Sequence, residues 1–99
     1  MSMRIIFTAS ASTDLKNIYS RSQELYPLSA AKFRADFREA LTRIAEAPLR
    51  WTIWQPPNYR RWLLNPYPYM IIYHADDHGI VIEAVRHQRQ KPEILLPRP

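Results

Sequence analysis

Apolar residues gather in two runs near the C-terminal half, Tyr69-Met70-Ile71-Ile72-Tyr73 and Ile80-Val81-Ile82-Glu83-Ala84-Val85, on either side of Ala75-Asp76-Asp77-His78-Gly79. The runs are rich in β-branched and aromatic side chains, and Gly79, the only glycine of the chain, stands where a tight turn needs positive φ. This pattern predicts a β-hairpin. A third strand is predicted over Tyr59 to Leu64, joined to the hairpin by Asn65-Pro66-Tyr67-Pro68, and a short first strand over Arg4 to Thr8.

Between the first strand and the hairpin the period changes. Ala11, Leu15, Ile18, Ser22 and Leu25 recur at three- and four-residue spacing, which predicts an amphipathic helix capped by Ser10 or Ser12 and ended by Pro27. A second helix is predicted from an N-cap at Ser29, with Leu28 and Phe33 as a hydrophobic staple and a stripe through Phe37, Ala40, Leu41 and Ile44 to a stop at Pro48. The short connection makes the helices an antiparallel hairpin. The expected fold is therefore α+β, a mainly antiparallel sheet packed on a helix hairpin, in the order β-α-α-β-β-β and as one domain over residues 1–99. The proline- and tryptophan-bearing connector from Pro48 to Asn58 is expected to cap one end of the core, and the proline-rich tail over residues 93–99 to be irregular.

The hairpin strands are apolar on both faces, whereas two helices cover only one face of a sheet. Either a protein partner meets the second face, or the connector or tail folds over it.

Composition narrows the chemistry. The net charge of +5 and the pI of about 9.9 suit an anionic partner or a solvated basic surface, since the basic residues are spread over both halves. The absence of cysteine excludes disulfides, thiolate metal sites and thiol nucleophiles. No run is long enough for a signal peptide or a membrane span, so a cytoplasmic protein with no membrane partner is expected. No phosphate loop, nucleotide fingerprint, nucleophile elbow or zinc motif is present. Asp76 and Asp77 read as turn residues rather than metal ligands, and neither metal nor cofactor is expected.

What remains is a cluster of cations at the strand ends: Arg60, Arg61, Arg86, His87, Arg89 and Lys91, with Tyr73 and His74 nearby. Metal-free RNA cleavage needs a base, an acid and a cation at the scissile phosphate, and these residue types supply all three. The same set also makes a generic anion-binding patch.

Three stretches carry a family resemblance: Ser12-Thr13-Asp14-Leu15-Lys16-Asn17-Ile18-Tyr19, Phe37-Arg38-Glu39-Ala40-Leu41, and Tyr67-Pro68-Tyr69-Met70-Ile71-Ile72-Tyr73 followed by Ile82-Glu83-Ala84-Val85-Arg86-His87. In their order they resemble the ParE/RelE superfamily of toxins from bacterial toxin–antitoxin pairs, from Arg4 to Pro92. The resemblance implies the fold given above and a cognate antitoxin as partner. RelE-like members are ribosome-dependent messenger-RNA endonucleases with an arginine early in the middle strand, where this chain has Met70. ParE-like members inhibit DNA gyrase through protein contact, and Met70 with the ending Val85-Arg86-His87-Gln88-Arg89 resembles that class. The resemblance thus implies a toxin that binds a protein target such as DNA gyrase, expected here through Arg86, His87, Arg89 and Lys91, and the surplus apolar sheet face beside positive charge puts the expected antitoxin contacts at Arg60, Arg61, Arg86 and Tyr73. The alternative is an RNA endonuclease acting on ribosome-bound mRNA with Arg61, His87 and Arg89.

Overall fold

A computed structural model describes residues 4–25 and 27–88. The elements follow in the order β1 (Ile5–Phe7), α1 (Ala9–Leu25), α2 (Pro27–Glu46), β2 (Arg60–Leu63), β3 (Tyr69–Asp76) and β4 (Gly79–His87). The expected order of elements holds. The sheet is mixed, however: its strand order is β1-β4-β3-β2, and β1 runs parallel to β4 while the other pairs are antiparallel.

Local chemistry sets the boundaries. Thr8, not Ser10 or Ser12, caps α1: its Oγ1 accepts from the Ala11 amide at 3.0 Å and donates to the Glu83 carbonyl at 3.1 Å. Thr8 N also donates to Ile82 O at 3.1 Å, so one residue ends the strand ladder and starts the helix. The second helix opens at Pro27 rather than after a Ser29 cap. Proline suits that place because its missing N–H would have no partner in the first turn. Leu28 is 90% exposed, so the expected staple does not form.

The hairpin turn is tighter than expected, with Asp76 opposite Gly79. Asp76 Oδ1 accepts from the amides of His78 at 2.7 Å and Gly79 at 3.1 Å. Gly79 has φ of +151°, and a Cβ there would meet the Arg4 carbonyl oxygen at 2.5 Å. That carbonyl accepts the Ile80 amide at 2.7 Å, so the glycine lets the first strand close onto the hairpin.

The expected helical stripe faces the sheet. Phe33, Phe37 and Ile44, with Leu15, Ile18 and Leu41 at its margin, pack on Ile71, Tyr73, Ile80, Ile82 and Val85. Phe33 stacks edge-on against Tyr67 and Tyr69, with centroids 5.0 and 6.1 Å away. Tyr67 also donates from its hydroxyl to Asp36 Oδ2 at 2.7 Å, tying the β2–β3 loop to α2. Hydrogen bonds from Lys32 and then Tyr67 hold the Asp36 carboxyl below its ordinary range.

The opposite face buries Met70, Ile72 and Ala84 beneath Trp54 and Tyr59. The connector therefore covers apolar surface for which a protein partner was the other expectation. The register skips Glu83 between Ile72 and Tyr73, a bulge whose extra residue bonds back to its neighbours: Glu83 Oε2 lies 2.9 Å from His74 Nε2.

Candidate functional site

The cations expected to act together are divided by the sheet. Arg61 is exposed and lies over the Trp54 ring at 5.3 Å, on the face of Met70 and Ile72. His87 pairs in register with Tyr69 on the other face, the two rings meeting at 5.9 Å and 80°. A single phosphate cannot contact both side chains through a packed sheet.

Arg86 is bound into the fold. Its Nη1 donates to Asp14 Oδ1 at 3.0 Å, and Asp14 Oδ2 accepts the Val85 amide at 3.1 Å. The reason is topological: β1 pairs with β4 only from Ile80 to Ile82, and past that point α1 supplies an acceptor to the strand edge. The pair is mostly buried, with side chains 20% and 13% exposed, so Arg86 is a structural cation more than a free one.

Tyr73, expected among the antitoxin contacts, belongs instead to the core. It is fully buried, and its hydroxyl donates to the Pro48 carbonyl at 3.0 Å. Burial pushes the phenol above its ordinary pKa, with the Arg60 charge opposing. Arg60 itself is half-buried and donates from Nη1 to the Trp51 carbonyl. Met70 is 1% exposed, so the middle-strand position that bears a cation in RelE-like members points here into a covered apolar cluster. Arg89 and Lys91 lie outside the described residues.

The helices carry a feature that the sequence reading missed. A groove of about 490 Å³ opens between α1, α2 and β1, floored by Phe7, Leu15, Phe37 and Leu41. Lys16, Arg34 and Arg38 line its rim, and Arg34 lies over the Tyr19 ring at 5.6 Å. No acidic residue lines it, and none of the three cations makes an ion pair among the described residues. The helical spacing of Arg34 and Arg38 beside Phe33 and Phe37 was a usable signal, but only the hairpin brings Lys16 to the same rim.

The family described as ParE toxin of the type II toxin–antitoxin system parDE matches residues 5–92. The chain belongs to this toxin family. Its fold is similar to a solved structure described as the chromosomal ParDE toxin–antitoxin system from P. aeruginosa, with a TM-score of 0.75 and 21% identity over 87% of this chain and 96% of that one. Among curated proteins none matches. A ParE-like toxin is thus established by family and fold, and membership of a toxin–antitoxin system implies a cognate antitoxin.

Proposed function

We infer that the toxin arrests growth in the bacterial cytoplasm by binding a protein, with DNA gyrase as the first target to test, and that it does not cleave RNA. The separation of Arg61 from His87 by the sheet carries this reading. Phosphodiester cleavage needs its base and its phosphate-stabilising cation within hydrogen-bond reach of one site, and loss of a single preorganised contact commonly lowers rate by about 10²–10³. Met70 is buried on the Arg61 face, and beside His87 the cavity holds Arg21 and the Asp14-bound Arg86, so any cation at His87 would come from α1 rather than from the middle strand.

Neutralisation by the antitoxin is assigned to the helix groove. Its apolar floor and unpaired basic rim fit an amphipathic segment that lays apolar side chains on Phe7, Leu15 and Phe37 and carboxylates beside Lys16, Arg34 and Arg38. Such a segment folds as it binds, and its affinity falls with salt.

The experiment is a gyrase supercoiling assay with purified toxin, alone and after addition of the antitoxin from the same operon. Inhibition relieved by the antitoxin, and no longer relieved for an Arg34→Glu/Arg38→Glu variant, is the expected result. Full supercoiling at excess toxin removes gyrase as the target. Relief that persists in the double variant moves the antitoxin away from the groove.

A further inference from the structure

β2 is the outer strand on its side of the sheet, and the phase of its ladder is fixed. Leu64 N donates to Tyr69 O at 3.0 Å, and the register runs from Arg60↔Tyr73 to Leu63↔Met70. In an antiparallel ladder bonded and non-bonded pairs alternate, so Arg60, Trp62 and Leu64 bond to β3 while Arg61 and Leu63 turn their N–H and C=O groups outward. Such a row is a template for another strand.

The connector stands beside this row without closing it. A groove of about 510 Å³ is lined by Trp51, Ile53 and Trp54 of the connector and by Arg61, Trp62 and Leu63 of the strand, the two sides touching where Trp51 meets Trp62 and Arg61 lies over Trp54. Trp51, Ile53 and Leu63 stay 45%, 48% and 42% exposed, an apolar lining along an open strand edge. This is the far edge of the sheet from the helix groove, since the strand order places β1 and β2 at opposite ends.

We propose that this groove takes an extended acidic segment of a partner protein, added to the sheet as a fifth strand beside β2. Backbone groups of Arg61 and Leu63 supply the ladder, and alternation sets the side chains: apolar residues of the segment lie on Leu63 and Ile53, carboxylates beside the arginines. Charge decides the occupant. Arg61 lines the groove and Arg50 lies over Trp51 of its lining, and neither makes an ion pair among the described residues.

Two other occupants fit less well. Pairing β2 with β2 of a second copy sets Arg60 and Arg61 of both chains one strand spacing apart, about 5 Å, where like charges repel. Single-stranded nucleic acid needs open ring faces for its bases. Here Arg50 lies over Trp51 at 5.1 Å, Arg61 over Trp54 at 5.3 Å, and Trp51 meets Trp62 edge-on at 5.8 Å. The inference goes beyond the reading of target and antitoxin above and stands or falls independently of gyrase.

The test uses the full-length toxin and residue-resolved amide hydrogen exchange. The probes are a blocked octapeptide alternating glutamate and valine, the same peptide with lysine for glutamate, and octathymidylate. The acidic peptide is expected to slow exchange at Arg61 and Leu63 by at least about tenfold at saturation, as ladder bonds do, with no protection from the other two probes. Arg61→Glu, a change at an exposed side chain whose fold is checked by its melt, weakens the acidic peptide by about tenfold or more. Equal protection by the lysine peptide, preference for octathymidylate, protection that grows with toxin concentration alone, or no protection at saturating acidic peptide each overturns the proposal.

Discussion

The two faces of the sheet are built from the same strands by the same alternation, yet they are different structures. Toward the helices, long apolar side chains from α1 and α2 interlock with Ile71, Tyr73, Ile80, Ile82 and Val85 in one large core. Toward the connector, only Met70, Ile72 and Ala84 are buried among the described residues, under two half-buried aromatics. The first face carries most of the stability. The second is thin, and it is the side on which an arginine stays exposed over a tryptophan. A sheet with two covered faces is also a partition, and it puts Arg61 and His87 on opposite sides.

The contrast is open to attack by substitution. On the thick face, Phe37→Ala removes a buried ring that touches both Phe7 and Phe33, and a loss of about 3–5 kcal/mol is expected, a large share of the roughly 5–15 kcal/mol that holds a domain folded. Chemical denaturation measures it. On the thin face, Trp54→Ala is expected to lose only about 1–3 kcal/mol, because the ring is half exposed and roofs a cluster of three buried residues. Equal losses for the two variants would erase the distinction between the faces.

Asp14→Ala tests how α1 is fastened to β4. It leaves the Val85 amide without its acceptor and Arg86 without its counter-ion, and about 1–2 kcal/mol is expected after allowing for partial exposure. Faster exchange of the Val85 amide, with the hairpin amides unchanged, locates the effect.

The smallest expected effect is a dependence on pH. Burial raises the Tyr73 pKa above its ordinary 10.0, so the folded state keeps a proton that the unfolded chain releases. Its contribution is whole below about pH 10 and is lost as pH rises toward the folded value. Tyr73→Phe is expected to cost about 1 kcal/mol at neutral pH, through the unpaired Pro48 carbonyl, and to flatten the fall in melting temperature from about pH 9 to about pH 11. An unchanged alkaline slope would contradict the burial of that hydroxyl.

Much of the architecture was legible because it is written in short-range periodicity. The stripe through Phe33, Phe37, Leu41 and Ile44 and the alternation around Gly79 each fix an element and its buried side. Helix starts were less legible, since Thr8, Ser10 and Ser12 are all competent caps and only the reach of Thr8 to Glu83 and Ile82 selects it. The parallel placement of β1 beside β4 depends on Arg4 meeting Ile80 across the chain, which no local pattern records. Among candidate site residues, Arg86 read as a free cation because its partner, Asp14, lies 72 positions earlier. Tyr73 read as accessible because alternation alone does not say which face of a doubly apolar strand is covered. Lys16, Arg34 and Arg38 were visible as charges but not as a rim, because tertiary packing alone gathers them.

The proposal that this toxin acts by contact and not by cutting is tested most directly by messenger-RNA ends in cells expressing it. Growth is expected to stop with no new 5′ ends inside translated codons, and with identical end maps for the toxin and its His87→Ala variant. Cuts within ribosome-bound codons that disappear in His87→Ala would contradict it.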